Sequence, residues 1–489
     1  MTNTTLVQNY AKQKADSLAE QSFRSALKLF NQAAKRVPAY KEFLRQASID
    51  PTKIKTEADF RLVPPVTKEN YLKQFPTPDL LWDGDIAQAE IISMSSGSSG
   101  KPFFWFRGNK STSDSVILHD RIFNTTFQTR EKRTLFIVAF AMGTWIGGTY
   151  TLRALQELAD HGHKIVSITP GINKQEIIYI LQKIAPYFEQ TIIGGYPPFV
   201  KDILDEAVNE KIDFRYLNTK LLFAGENFSE KWRDYVLEHI GSPDPKFTTA
   251  AIYGTADAGM LGHETPLSIY ARRMACDNQE LYDDFFPGAT NEPTLVQYDP
   301  LLRYFETDDN DLIFSVNNSM PLLRYKILDK GRLVTGESLV NTLVKYKPLE
   351  PESLIEYADN PYIALYGRPD ICTTFYAVKI YPENIKYGLE AKGMNKYITG
   401  KFVMTTEYEE ATQQQSLHLY TELNPKTVPQ QKIAAMIAKS VIEGLRKYNG
   451  EYHRLYQEIG GLADPTVHLL PQGSPEFDIR VKMKWTEKP

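Results

Sequence analysis

Along residues 6–44 the chain is rich in Ala, Gln, Lys and Leu, with Phe23, Leu27, Leu29, Phe30 and Ala33 at helical spacing, which predicts opening helices. Pro51, Pro64, Pro65, Pro76 and Pro78 then divide the chain into short helices and turns. Farther on, apolar runs bounded by turn residues alternate with amphipathic stretches. Strands are expected at 134–140, 164–169, 191–194, 220–224 and 251–253, with helices near 148–160, 174–187, 197–209 and 230–240. This alternation predicts an α/β layering whose loops carry the chemistry. From Leu295 the strands shorten (312–316, 322–327, 362–365), as in an antiparallel, barrel-like subdomain. Past position 370 a smaller α/β unit is expected, with strands at 401–405, 416–421 and 466–470 and a helix at 428–448. The expected organisation is a helical part over 1–90, a core over 91–369 and a C-terminal unit over 370–489.

A length of 489 residues exceeds one compact core, and 42% hydrophobic with 24% charged residues describes an ordinary globular chain. A net charge of −4 without basic blocks argues against nucleic acid as the main partner. The two cysteines, Cys276 and Cys372, are far apart, so neither a disulfide framework nor a zinc site is expected, and both read as buried thiols. The eight histidines form no metal pattern; His161 and His163 flank Gly162 at a helix end, where capping is expected. Met1–Thr5 lacks a basic patch leading into an apolar core, so a cytoplasmic protein is expected. The most apolar stretch, 134–148, is broken by Gly143, Gly147 and Gly148 and falls short of a membrane span.

The chemistry begins where the strand Ile91–Met94 runs into Ser95, Ser96, Gly97, Ser98, Ser99, Gly100 and Lys101, before Pro102 and a second apolar run, 103–106. Glycines let backbone approach a ligand, hydroxyls and amides donate to phosphate oxygens, and the lysine adds positive charge. A Walker A loop is excluded: the required earlier glycine is missing and Pro102 stands where Ser or Thr would hold magnesium.

This loop resembles the phosphate-binding signature of the adenylate-forming superfamily of acyl-CoA synthetases, luciferases and adenylation domains. More segments match in order. Tyr253, Gly254 and Thr255, running on to Asp257, are similar to the family's Tyr-Gly-x-Thr-Glu segment, which implies Asp257 as the magnesium carboxylate. The run 321–329 resembles the segment whose aspartate grips the ribose, here Asp329, and its Leu-Arg-Tyr form is similar to the phenylacetate–coenzyme A ligase branch. Gly367, Arg368, Pro369 and Asp370 look like the hinge, with Arg368 on the nucleotide and Asp370 as pivot. Gly225 and Glu226 resemble the adenine-lining stretch, and 143–148 the one near the acyl pocket. The segments 37–40 and 63–68 also look like that branch.

The resemblance implies a large adenylate-forming domain with a small mobile C-terminal domain. It also implies ATP, magnesium and coenzyme A as cofactors, and acyl transfer to the thiol after acyl-adenylate formation. Trp145, Tyr196 and Met260 are candidate acyl-pocket residues, and either Lys482 or Lys484 is the late catalytic lysine. Ala256 replaces the family's hydroxyl, and Ala377 the glycine beside the thiol tunnel. Ala377 therefore keeps open an amine or carrier protein as acceptor, and Ala256 a non-catalytic nucleotide-binding descendant. A homodimer is an open assembly.

Overall fold

The computed structural model describes residues 3–95, 103–144, 146–289, 292–347, 352–367, 372–376, 378–409 and 414–477. The opening helix, Asn3–Arg36, ends just before Pro38, which starts the next helix, Pro38–Gln46, from its first position. Proline lacks the amide that a continuing helix would need, so one amphipathic run becomes two helices.

A hairpin of β1 (Ile91–Met94) and β2 (Phe104–Arg107) precedes the main sheet. That sheet contains β3 (Thr134–Ala139), β4 (Ile165–Ile168), β5 (Gln190–Gly195), β6 (Thr219–Ala224), β7 (Thr249–Thr255), β8 (Gly259–His263), β9 (Thr294–Gln297), β10 (Arg303–Asp308), β11 (Asp311–Val316), β12 (Leu322–Val334) and β13 (Tyr362–Gly367). These 11 strands run in the order β10-β11-β12-β13-β9-β8-β7-β6-β5-β3-β4. The strands β3 to β7 pair in parallel and the remaining pairs are antiparallel. The antiparallel strands expected after Leu295 as a barrel-like subdomain are hydrogen-bonded into this same sheet at its β10 edge.

Strand alternation divides the parallel half between two cores. Leu135, Ile137 and Ala139 face one side, packed with Ile177, Val200 and Val236 of the helices Lys174–Lys183, Pro197–Asn209 and Glu230–Ile240. Phe136, Val138 and Phe140 face the other, against Leu118, Ile122 and Leu158 of the helices Asn109–Thr125 and Ile146–Asp160. Burial on both faces explains why these strands read as continuous apolar runs. The N-terminal helices cover the antiparallel half, where Phe30, Tyr40 and Phe60 join Phe314 and Tyr325 in one core.

The C-terminal residues have their own core around Phe402, Leu419, Ile437 and Tyr452. A hairpin of β14 (Thr373–Phe375) and β15 (Val378–Ile380) leads into the helix Pro382–Leu389, and β16 (Ile398–Glu409), β17 (Gln414–Leu423) and β18 (Thr466–Leu470) form the sheet. The long helix begins at Gln431, after Pro429, and not at 428. It crosses Pro382–Leu389 closely: a methyl group added at Gly388 would stand 2.5 Å from the Val441 Cα.

Two smaller expectations change. Cys276 and Cys372 are only partly buried, although burial still pushes the Cys276 thiol well above its ordinary value. His161 does cap its helix, through the Glu157 carbonyl, but His163 is a buried bridge between Thr129 Oγ1 at 2.7 Å and Asp120 Oδ1 at 2.7 Å. No described helix is long and apolar enough to cross a membrane.

Candidate functional site

In a parallel sheet the strand carboxyl ends leave a crevice where loops converge. Here β5 ends at Gly195 before Tyr196, β6 ends before Gly225 and Glu226, and β7 delivers Tyr253, Gly254 and Thr255, with Asp257 just beyond. Gly225 has φ of 97°, which a side chain would resist, and a methyl group there would meet the Tyr196 ring at 3.4 Å. Tyr196 donates its hydroxyl proton to Glu226 Oε2, so an expected pocket residue and an expected nucleotide residue are bonded to each other.

The mouth of the β1–β2 hairpin is closed at Ser95, whose amide donates to the Phe103 carbonyl at 3.0 Å and whose Oγ accepts from the Phe103 amide at 3.0 Å. The Met94 amide donates to the Thr144 carbonyl at 2.9 Å, which ties the hairpin to the 143–148 segment. Ser96, Gly97, Ser98, Ser99, Gly100, Lys101, Trp145, Arg368, Asp370, Ala377, Lys482 and Lys484 lie outside the described residues.

Asp257 is 5% exposed. Tyr325 of β12 donates its hydroxyl to Asp257 Oδ2 at 2.5 Å, and Lys68 Nζ lies 3.2 Å from the same oxygen. Lys68 also sits over the Trp105 ring, 5.6 Å from its centroid. Tyr253 donates to Asp329 Oδ2 at 2.6 Å, linking two candidate residues across 76 positions. Thr255 Oγ1 accepts from the Ala258 amide at 3.0 Å, so it closes the turn that carries Asp257. Met260 is buried in β8 among apolar neighbours that include Phe140.

The fit of a magnesium ion follows from the donors. Among the described residues no group of three or more His, Cys, Asp and Glu side chains could hold a metal. The described residues therefore form no protein cage for the ion. An ion bridging nucleotide phosphates needs only one or two carboxylates, and Asp257 meets that requirement.

Lys68 belongs to the 63–68 segment, and the structure gives that segment a purpose. Val66 pairs with Tyr325: its amide donates to the Arg324 carbonyl at 3.1 Å and its carbonyl accepts from the Lys326 amide at 3.0 Å. Thr67 then caps a short helix that begins at Lys68. The strap therefore delivers the Lys68 side-chain ammonium to a carboxylate 189 positions away, because its backbone is held against β12.

The C-terminal unit docks beside the same crevice. Lys386 donates to Glu226 Oε1 and to the Asn227 carbonyl at 3.2 Å, Glu390 accepts from Ser229, and Lys401 pairs with Asp202 at 2.9 Å. Burial pushes the Glu390 carboxyl up to about 7, only partly offset by Ser229 and Lys386 and reinforced by Glu292. The docked state thus holds a proton that a free carboxyl releases above its ordinary value of 4.5. Docking is favoured below that value, weakens as pH rises, and loses this contribution above about 7. Hydrogen exchange of 382–389, corrected for its intrinsic pH dependence, is expected to rise between pH 5 and 8, and Glu390→Gln to flatten that slope; equal slopes in both proteins would refute it.

No family model and no curated protein matches the sequence. Among solved structures the chain is similar to 2-hydroxyisobutyryl-CoA ligase in the postadenylation state in complex with R3-HIB-AMP. The TM-score is 0.64 at 16% identity, covering 96% of this chain and 89% of that chain. The same ligase with 2-HIB-AMP and CoA in its thioesterification state gives 0.53 at 16% identity, over 97% of this chain and 90% of that one. The GH3.15 acyl acid amido synthetase in complex with 2,4-DB gives 0.57 at 12% identity, over 99% and 94%. The chain has the fold of adenylate-forming ligases.

Proposed function

We propose that this protein activates a carboxylic acid with ATP and passes the acyl group to a thiol, coenzyme A being the favoured acceptor. The observation that carries the reading is the convergence, at the strand carboxyl ends, of a buried Asp257, the Tyr253–Asp329 pair and the base of the serine-glycine hairpin. The fold it shares with an acyl-AMP-bound CoA ligase supports it.

In the first half-reaction the substrate carboxylate attacks the α-phosphorus of ATP, and the bond to the bridging oxygen breaks to release pyrophosphate. Asp257 would hold magnesium, which supplies charge neutralisation on the phosphates when bound. Lys68 would leave Asp257 as that ion arrives and pair with a phosphate instead. Asp329, steadied by Tyr253, would hold the ribose, and Gly225 with Glu226 would line the adenine site. Lys101 and the amides of 96–100 would cradle phosphate, and Arg368 would contact the nucleotide. Tyr196, Trp145 and Met260 would border the acyl group. In the second half-reaction a thiolate attacks the acyl carbon, AMP leaves, and the thiol proton goes to solvent.

Between the halves the C-terminal unit, pivoting at Asp370, would replace the face bearing Lys482 or Lys484 with one that admits the thiol. The fold shared with a ligase whose structures include both a postadenylation and a thioesterification state supports such a movement. An amine acceptor is the second reading, favoured by the match to the amido synthetase over 99% of the chain.

The test is pyrophosphate release from ATP and magnesium across aryl, branched and fatty acids, with coenzyme A, an amino acid panel, or neither. Acid-dependent release is expected, with coenzyme A accelerating turnover; acceleration by amines alone would transfer the assignment to amide synthesis. Nucleotide binding without release for any acid would leave only the non-catalytic reading.

A further inference from the structure

Arg107 closes β2 with its backbone carbonyl accepting from the Glu90 amide at 2.7 Å, while its side chain turns inward and is 2% exposed. One terminal nitrogen donates to Ser93 Oγ on β1 and the other to the Ala256 carbonyl, the residue before Asp257. The guanidinium also lies 5.7 Å from the centroid of the Tyr150 ring. Its Nε is buried without a hydrogen-bond partner among the described residues, and it forms no contact ion pair with a described acidic residue.

A buried cation without a contact ion pair is costly, since the water it has lost is answered only by the more distant charge of Asp257, which acts on it without touching it. Burial pulls its pKa down to about 10, which leaves it charged at neutral pH. Such a charge persists where it answers an anion that arrives later, and local rules are broken most often at functional sites. The hairpin that Arg107 braces carries the expected phosphate loop between its strands, and the turn that it holds carries Asp257.

We propose that Arg107 is a positioning residue for the triphosphate, fixing the Ala256–Asp257 turn to the base of the hairpin and setting a buried positive field behind both. Ala256 lacks the side-chain hydroxyl that could donate to phosphate, and Arg107 uses the Ala256 carbonyl to hold that turn in place. The anion is the β,γ-phosphate tail of a nucleoside triphosphate; a monophosphate lacks that tail and gains little. The inference rests on the nucleotide-binding part of the proposed function, and not on the identity of the acid or acceptor.

The experiment is calorimetric titration of ATP with magnesium, and of AMP, into the full chain and its Arg107→Gln and Arg107→Lys variants, with thermal midpoints measured beside each. Arg107→Gln is expected to weaken ATP at least about tenfold while AMP changes less than about twofold, and Arg107→Lys to recover part of the loss. Equal weakening of both nucleotides, or a lower midpoint with unchanged ATP affinity in the folded protein, would overturn the proposal and leave Arg107 a structural brace. A wild-type chain that binds neither nucleotide would overturn it together with the function on which it rests. Binding of ATP without reaction with any acid would leave the Arg107 comparison decisive.

Discussion

Asp257→Ala is expected to reduce acid-dependent pyrophosphate release by about 10²–10³-fold, the loss seen when one preorganised charge-stabilising group is removed from a reacting centre. The effect should fall on turnover and on the magnesium concentration needed for half-maximal rate. Stability should change little. Lys68 is 35% exposed and regains water when its partner is removed, and Tyr325 loses one hydrogen bond, worth about 1 kcal/mol. Asp257→Asn sharpens the comparison, because it keeps an acceptor for Tyr325 but removes the charge. If Asp257→Asn turned over within a few-fold of wild type at low magnesium, Asp257 would be a structural anchor and the metal would have another ligand.

The parts of this fold visible in the sequence are those specified by local pattern. The helices 197–209 and 230–240 were expected with the bounds they have, because a proline start and a serine cap bracket clear amphipathic runs. The helix Asn109–Thr125 was not expected, since Ser111, Thr112, Ser115 and His119 are polar residues on its buried face and erase the apolar stripe. Gly450–Ile459 was hidden for a similar reason: it follows another helix after a single Asn, which reads as a stop but serves as the cap of the next.

The same division applies to the site. Tyr253, Asp257 and Asp329 are legible as candidates because each belongs to a short motif that resembles a known one. Lys68, Arg107 and Lys386 were not singled out, because their partners are 189, 149 and 160 positions away. Nothing periodic connects Lys68 to Asp257; only the pairing of Val66 with Tyr325 does. Sequence pattern reports which faces are buried, whereas these contacts depend on which strand lies beside which.

Arg324 shows how much rests on such pairing, and Arg324→Leu is expected to cost about 3–5 kcal/mol of stability, as when one partner of a buried ion pair is removed. Arg324 is 6% exposed; its Nε donates to Glu306 Oε2 at 3.0 Å and its Nη1 to the carbonyls of Arg61 at 2.6 Å and Val63. Burial raises the Glu306 carboxyl above its ordinary value and Arg324 pulls it back, so Glu306 is left without its counter-charge in the variant. The backbone at Arg324 has φ of 47°, a strained conformation for a residue with a side chain, which the surrounding bonds hold in place. Replacing Glu306 by Leu in the same chain should recover much of the stability, because the orphaned charge is gone. It should not restore nucleotide affinity. The strap carbonyls at Arg61 and Val63 would still lack their donor, so the Val66–Tyr325 pairing that carries Lys68 to Asp257 would remain loosened. Denaturant midpoints and ATP titrations on the single and double variants separate the two effects: recovery of both together would mean that Arg324 serves the core alone, and recovery of stability alone would mean that it holds the strap over the site.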